Sequence, residues 1–246
     1  MKQKTPTRAV IKTAEAELSI ACKILEWEIG DIWGHVGVRL PENKGIAVQM
    51  FRRAEESKKD WLVHFDYGFK KLAGVGTPPR ESVIYTEIFK ARPDVNAAVH
   101  CHASTCVAMS LADTPVSCVH MQSGRFGTGV PIYPQPIYIL DEDEGADLAR
   151  TLGDANGMMI KGHGIVTVGK SIDEACMNAV YMERTAKIMA MAKLFGFKGV
   201  PGDFIDQLAS SKEKLLTRGK RLPHSAEWNY YAYLIKSGKT WNRGGS

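Results

Sequence analysis

The sequence predicts one α/β domain in which helices cover a mixed or antiparallel sheet. Its length of 246 residues suits a large single domain, and its composition is that of a globular protein, with 44% hydrophobic and 24% charged residues. Strand patterns lie mostly in the middle of the chain, with helical patterns at both ends and between them. The sequence shows no repeat or linker, so we expect a single domain over residues 1–246 with loosely held termini, about 1–9 and 239–246.

Helices are predicted where apolar residues recur every three or four positions. The first covers residues 14–29 and ends at Gly30. The second is expected to start at Thr77, whose hydroxyl can cap a helix that has proline in its first turn. Later helical segments cover residues 104–112, 171–195, 203–219 and 225–235.

Strands are predicted where short alternating or apolar runs lie between turn residues. Such runs flank the turn PENKG and also flank Gly68, which indicates two hairpins. The predicted strand segments are 35–40, 45–50, 61–67, 70–74 and 96–102, and residues 157–169 form strand, turn and strand.

Charge and composition argue against several classes of function. The net charge of +5 is mild, and the basic pairs are local rather than gathered in a stripe, so we do not expect nucleic-acid binding. No apolar run reaches the roughly 18 residues that span a bilayer, and residues 1–12 have no apolar signal segment. Five cysteines without a CxxC pair indicate a reduced, cytoplasmic protein. An anionic small molecule is the expected partner.

Two histidines in the segment AAVHCHAST, residues 97–105, predict a metal site. Side chains on a strand alternate, so His100 and His102 point to one face, about 7 Å apart along the strand. His163 lies between glycines in KGHGIV, a turn that can present a third imidazole. Three histidines with an open position describe a catalytic zinc site. The alternative is that the strand histidines are hydrogen-bonded in the interior. The remaining histidines have no such spacing and are expected to be structural or on the surface. They are His35, His64, His120 and His224.

Glu81 is the candidate acid/base residue. It is expected in the first turn of the helix after Thr77, where the positive end of the helix dipole favours a carboxylate. An ordinary acidic residue at a helix N-terminus is the alternative interpretation. Glu87 follows on nearly the opposite helix face, so both glutamates cannot serve one site.

Three separated segments, GHVGVRLP, RPDVNAAVHCHA and KGHGIVTVGKSIDEA, resemble the class II aldolase/adducin family in their order and separation. The resemblance covers roughly residues 10–220. It implies an α/β/α sandwich around a largely antiparallel sheet, assembled as a homotetramer with active sites at subunit interfaces. The family's metal histidines fall on His100, His102 and His163, and its acid/base glutamate falls on Glu81. One divalent metal per subunit is implied, with Zn²⁺ preferred and Mn²⁺, Co²⁺ or Fe²⁺ as alternatives.

The sequence departs from the sugar-phosphate members of this family in three phosphate-binding segments. His35 and Gly37 replace an asparagine and a serine, and QMFRRAEE replaces a Thr-Gly pair. Pro79 and Arg80 replace paired serines. Arginine binds planar carboxylates through two parallel hydrogen bonds, so we infer a carboxylate substrate without phosphate. Solvated surface arginines are the alternative. The expected substrate contacts are His35, Arg52, Arg53 and Arg80, with Tyr230 and Tyr231 reaching a neighbouring subunit's site.

The tyrosine that donates a proton in the aldolases has no match, because Met121 occupies its place after His120. Decarboxylation of a vicinal dihydroxy aromatic carboxylate, such as a dihydroxyphthalate, is therefore the preferred hypothesis, and family members that decarboxylate such acids favour it. The metal would act as a Lewis acid and Glu81 as acid/base. Alternatives are an aldolase acting on a hydroxy-keto acid or sugar phosphate, an Fe(II)-dependent oxygenase, and a non-catalytic assembly module like the adducin head. The segment EWNYYAYLI, which contains Tyr230 and Tyr231, also fits an amphipathic core helix.

Overall fold

A computed structural model describes residues 8–51, 62–74, 76–217 and 225–240. These residues form one eight-stranded sheet and seven α-helices. The strands are β1 His35–Arg39, β2 Ile46–Met50, β3 Leu62–Phe65, β4 Lys71–Gly74, β5 Ala97–Cys101, β6 Ile132–Tyr133, β7 Gly157–Ile160 and β8 Gly164–Gly169. The helices are α1 Arg8–Ile29, α2 Val83–Ala91, α3 Ser104–Leu111, α4 Glu142–Leu152, α5 Ile172–Leu194, α6 Phe204–Thr217 and α7 Ala226–Lys236.

The sheet has the strand order β4-β3-β2-β1-β5-β8-β7-β6. Neighbouring strands are antiparallel except for the parallel pair β6 and β7, which confirms the largely antiparallel sheet. In the pairing of β1 with β5, His35 lies directly opposite His100. Residues opposite each other on paired strands point to the same face, so two imidazoles are neighbours at the centre of the sheet.

Helices cover both faces of the sheet, as an α/β/α sandwich requires. Val36 and Val99 belong to the apolar cluster that α1, α3, α5 and α7 form on one face. Ala98 and Val166 belong to the cluster on the other face, where α2 and α4 pack. Because strand residues alternate between the faces, His100 shares the α2 face with Ala98.

The two hairpins, the strand at β5 and the end of the first helix are confirmed, but the predicted start of α2 is wrong. Thr77 and Pro78 each precede a proline, and that position disfavours helical backbone. The chain turns only after Pro79, where the backbone N–H of Ser82 donates to the Pro79 carbonyl at 3.0 Å. Glu81 therefore lies in the turn before α2 and not in the first turn of the helix.

The sequence patterns predict neither α4 nor β6. Helix α4 begins with a capping box, in which the Asp141 carboxylate accepts from the Glu144 N–H at 2.9 Å and the Glu144 carboxylate accepts from the Asp141 N–H at 3.3 Å. Leu148 and Leu152 bury the apolar side of this helix against the sheet cluster that contains α2.

Several sequence predictions fall on residues outside the described ranges. These are most of the two termini, residues 1–7 and 241–246, together with Arg52, Arg53 and His224. The single domain over the whole chain stays a prediction. Among the helices of the described ranges, none combines the length and the hydropathy of a membrane span. All five cysteines are described, and each is buried and outside any disulfide.

Candidate metal centre

Four side chains meet at the end of β5. Glu81 comes from the turn before α2, His100 from β5, His102 from the residue after β5, and His163 from the turn between β7 and β8. One ligand atom of each lies within 4.8 Å of those of the other three. The three imidazole centroids form a nearly equilateral triangle, with separations of 5.1, 5.1 and 5.3 Å. The structure thus brings together the four residues that the sequence analysis assigned to one site.

The turn that carries His163 requires glycine on both sides. Gly162 has a φ of +66°, which glycine adopts without steric cost. A Cβ at Gly164 would lie 2.6 Å from the Cys101 carbonyl oxygen, so no side chain fits between β8 and β5 there. The His163 N–H closes the turn by donating to the Ile160 carbonyl at 3.0 Å. This close approach brings His163 beside the end of β5.

Two histidines are oriented by backbone carbonyls. Nδ1 of His100 donates to the Ile165 carbonyl at 3.1 Å, and Nδ1 of His163 donates to the Ile137 carbonyl at 2.9 Å. A carbonyl only accepts, so Nδ1 carries the proton and Nε2 of the neutral ring carries the lone pair. Burial lowers the pKa of His100, which favours this neutral form.

The Nε2 atoms of His100 and His163 are buried and lack a hydrogen-bond partner among the described residues. Buried polar side-chain atoms are rarely left in this way. A metal ion would satisfy both, and metal-ligating histidines usually donate their other ring N–H to a carbonyl or carboxylate, as these do. The donor set therefore fits a divalent cation.

His102 is oriented by Asp31, a residue that the sequence analysis missed. Oδ2 of Asp31 accepts from the backbone N–H and from Nδ1 of His102, each at 2.9 Å. Burial raises the pKa of the Asp31 carboxyl, but the bonds from His102 and from the Trp33 N–H outweigh burial and bring the pKa to about 2. Asp31 follows the end of a helix, where a polar residue is ordinary, so nothing in the sequence links it to His102.

Glu81 lies between two of the histidines. Its Oε2 is 3.5 Å from Nε2 of His100 and 3.6 Å from Nε2 of His163, and its Oε1 accepts from the Ile139 N–H at 3.0 Å. Burial raises the pKa of the Glu81 carboxyl, but the adjacent His100 and His163 imidazoles, together with the bond from the Ile139 N–H, hold that pKa well below its usual range. Glu81 is therefore ionised at neutral pH, and its negative charge suits a bound cation.

Three of these four residues, Glu81, His102 and His163, line a cavity of about 910 Å³. Other residues along its wall include Trp33, His35, Met50, Arg80, Tyr138 and Leu140. The Tyr138 ring stands nearly perpendicular to that of His163, with centroids 5.4 Å apart. Trp33, Arg80 and Tyr138 are exposed, so their side chains are accessible to a ligand. Trp33 and Tyr138 were not predicted as site residues, because no spacing pattern relates them to the histidines.

His35 is part of the cavity wall rather than an isolated core or surface histidine. Its ring lies 5.3 Å from that of His100, and its Nδ1 lies 2.6 Å from the Tyr85 hydroxyl, which donates to the His35 carbonyl at 2.8 Å. The Tyr85 ring also fills the space over Gly37, where a Cβ would lie 2.5 Å from it. Burial, and then the proximity of His100, lowers the pKa of His35 to about 3, so its imidazole is neutral. A substrate contact by His35 stays a prediction.

The structure does not bring Tyr231 to this cavity within the described chain. Its buried hydroxyl donates to Glu28 at 2.5 Å and accepts from Arg184 at 2.8 Å, and its ring belongs to the core cluster under α7. The position of Tyr231 therefore agrees with the alternative interpretation, in which α7 is an amphipathic helix packed on the core. Tyr230 is exposed on the same helix, and its contact with a neighbouring subunit's site stays a prediction.

The fold and the site together define a class of protein: a helix-covered antiparallel sheet with three histidines and a glutamate converging at one strand end. The sequence profile of the Class II Aldolase and Adducin N-terminal domain matches residues 25–190. The chain belongs to this family.

Similar proteins include lyases of two kinds. A 3,4-dihydroxyphthalate decarboxylase of Arthrobacter keyseri is 27% identical over 191 residues, which cover 70% of this chain and 76% of that protein. An L-fuculose phosphate aldolase of Escherichia coli is 26% identical over 146 residues, which cover 59% of this chain and 67% of that protein. The structure of an L-fuculose 1-phosphate aldolase from Glaciozyma antarctica aligns with a TM-score of 0.75 at 23% identity, covering 95% of this chain and 94% of that one, which shows the shared fold.

The family, its lyase relatives and the four-residue cluster identify the chain as an enzyme, a metal-dependent carbon–carbon lyase. The non-catalytic alternative is thereby set aside.

Proposed function

We propose that the chain decarboxylates a vicinal dihydroxy aromatic carboxylate that resembles a dihydroxyphthalate. The observation that carries this proposal is the position of Arg80, whose exposed side chain lines the same cavity as Glu81, His102 and His163. A guanidinium there can hold a substrate carboxylate through paired hydrogen bonds. The similarity to 3,4-dihydroxyphthalate decarboxylases supports the same substrate class.

Two of the positions that lack the family's phosphate-binding side chains, His35 and Gly37, lie in β1. The family's serine position is Gly37 here, and the Tyr85 ring occupies the space that a side chain would need. The neighbouring asparagine position is His35, whose Nδ1 is engaged with the Tyr85 hydroxyl. His35 lines the cavity with the Tyr85 ring behind it, and exposed Trp33 and Tyr138 contribute aromatic surface to the same cavity. Aromatic walls suit a planar ring better than a sugar phosphate.

Glu81 can perform both proton transfers of the proposed reaction. A divalent cation held by His100, His102 and His163 would supply Lewis-acid chemistry to the substrate. Glu81 begins as a carboxylate, so it takes the proton that a substrate hydroxyl loses on binding. The bond from the ring to its carboxylate carbon then breaks, CO₂ leaves, and the electron pair stays with the ring. Glu81 returns its proton to that ring carbon, which balances the reaction.

An aldolase reaction at the same centre is the second candidate. The L-fuculose phosphate aldolase relative favours it. Glu81 and the three histidines would serve both reactions, which differ in the group that leaves. A hydroxy-keto acid would also use Arg80, whereas a sugar phosphate would need donors that the β1 wall no longer offers.

We further propose Zn²⁺ as the metal, because three histidines with an open position are typical of catalytic zinc, with Mn²⁺, Co²⁺ and Fe²⁺ as alternatives. A homotetramer is proposed from the resemblance. The exposed apolar residues near the end of α5, Ile188, Met191, Leu194 and Phe195, support an interface between copies. Light scattering tests this, since a mass near 27.1 kDa would show a monomer. We propose a cytoplasmic location, because none of the five described cysteines is in a disulfide.

Mass spectrometry of a substrate panel tests the proposed reaction. The metal-loaded protein is incubated with dihydroxyphthalates, dihydroxybenzoates, hydroxy-keto acids, fuculose 1-phosphate and ribulose 5-phosphate. We expect loss of CO₂ from a dihydroxy aromatic acid. Cleavage of a sugar phosphate or a keto acid, with every aromatic acid left intact, would contradict the proposal and favour the aldolase. Oxygen uptake with Fe²⁺-loaded protein distinguishes an oxygenase.

A further inference from the structure

We propose that Asp31 is the positioning residue for His102, fixing both the orientation of its ring and the tautomer that binds metal. This inference rests on the proposed metal centre and is independent of the proposed substrate. His102 needs such a partner more than the other ligands do. Its side chain is 29% exposed, against 0% for His100 and 10% for His163. It also lies beyond the end of β5 at Cys101, so the hydrogen bonds of the sheet do not hold it.

One oxygen of Asp31 binds His102 at two points. The bond to the backbone N–H fixes where residue 102 leaves the strand, and the bond to Nδ1 fixes the rotation of the ring. An ionised carboxylate only accepts hydrogen bonds, so Nδ1 must carry the proton. The lone pair of the neutral ring is then on Nε2. A carboxylate behind an imidazole also strengthens that ring as a ligand.

Asp31 is itself held in place. Its other oxygen accepts from the Trp33 N–H at 2.9 Å, and its side chain is almost completely buried. The backbone at Gly34 packs closely on the carboxylate, since a Cβ there would lie 2.9 Å from Oδ2. Three N–H groups therefore converge on one carboxylate. The same residue ties a metal ligand, His102, to a residue of the cavity wall, Trp33.

Asp31→Asn isolates this role because it keeps the size of the side chain. If the amide oxygen faces His102, the amide NH₂ faces the Trp33 N–H, and two donors oppose each other. If the amide is flipped, its NH₂ faces His102, and Nδ1 can accept only after its proton moves to Nε2, the atom needed for the metal. Both orientations weaken the site. Loss of such a partner typically costs about 10- to 100-fold in metal affinity.

Competition with a chromophoric chelator measures the Zn²⁺ affinity of wild type and Asp31→Asn without any substrate. The absorption spectrum of Co²⁺-loaded protein reports the ligand geometry. Glu28→Gln is the matched control, because Glu28 is also a buried carboxylate in the same part of the chain, but it binds Arg184 and Tyr231. Thermal unfolding of the metal-free proteins measures stability separately.

We expect Asp31→Asn to bind Zn²⁺ about 10- to 100-fold more weakly with an altered Co²⁺ spectrum. Glu28→Gln should keep the wild-type affinity even where its stability falls. Wild-type affinity and spectrum in Asp31→Asn would show that Asp31 only anchors the turn before β1. Should the asparagine variant not fold, Asp31→Ala, which adds no opposing donor, gives the same comparison. A wild-type protein that binds neither ion would overturn the metal centre itself, and this inference with it.

Discussion

Replacing Glu81 with glutamine removes one negative charge from the centre and changes little else. The side chain is only 8% exposed, and its Oε1 accepts from the Ile139 N–H at 3.0 Å, a bond that the amide oxygen of glutamine can keep. The amide nitrogen would face the Nε2 atoms of His100 and His163. We therefore expect Glu81→Gln to fold and to keep most of its metal, because all three histidines remain. Proton transfer is what the variant loses.

The expected loss of turnover is at least ~100-fold, the lower end of the usual contribution of a general acid/base. At about 1.36 kcal/mol for each factor of ten, this corresponds to about 2.7 kcal/mol of barrier. Glu87→Gln is the matched control. Glu87 is also 8% exposed, but its carboxylate binds Lys90 at 2.7 Å and Thr86 at 3.1 Å and does not contribute to the described cavity wall. We expect the control variant to retain its turnover.

The assay is CO₂ release at saturating substrate, with metal content by elemental analysis and thermal unfolding on the same preparations. The measured turnover is then expressed per metal-containing, folded chain. Nearly full turnover in Glu81→Gln would refute the assignment of acid/base chemistry to Glu81. An equal loss in both glutamate variants would show that the effect comes from general destabilisation of the α2 region.

Three further substitutions test the cavity wall and the packing of α2 behind it. Arg80→Ala should lower kcat/KM about tenfold, which is the low end for a charge-assisted hydrogen bond, because Arg80 is exposed. An equal loss on a substrate that lacks the contacted carboxylate would contradict carboxylate binding by Arg80. Gly37→Ala should destabilise the fold by about 1–3 kcal/mol in denaturant unfolding, since its Cβ would lie 2.5 Å from the buried Tyr85 ring. Gly68→Ala, with only a 3.5 Å contact, is its control, and equal stability of the two variants would be contrary to expectation. Tyr138→Phe should reduce kcat/KM about 2- to 10-fold if its hydroxyl bonds the substrate, and an unchanged value would exclude that bond.

The metal ligands could be predicted because their signals are local. His100 and His102 are two positions apart at a strand end, and His163 lies between two glycines that the backbone requires. The family resemblance then placed Glu81 with them, by its spacing to the segment that begins with RPD. Its local structure was predicted wrongly, because the effect of Pro79 on the backbone of Pro78 outweighs the capping ability of Thr77.

The supporting residues could not be predicted in the same way. Asp31 reaches His102 from the loop before β1, and Tyr85 reaches His35 from α2, so their roles follow from the packing of segments distant in the sequence and not from spacing. Tyr138 reaches His163 from an irregular segment that shows no helical or strand period. Such contacts become visible only after the chain has folded.

Metal content is the most direct test of the central claim that one centre is built by three histidines. Elemental analysis is performed on the wild-type protein and on His100→Ala, His102→Ala and His163→Ala, each purified without chelators and checked for folding by thermal unfolding. We expect close to one divalent metal per chain in the wild type and a large loss in every variant, because each substitution removes one ligand atom of the cluster. Near-stoichiometric metal in all three folded variants would contradict the account.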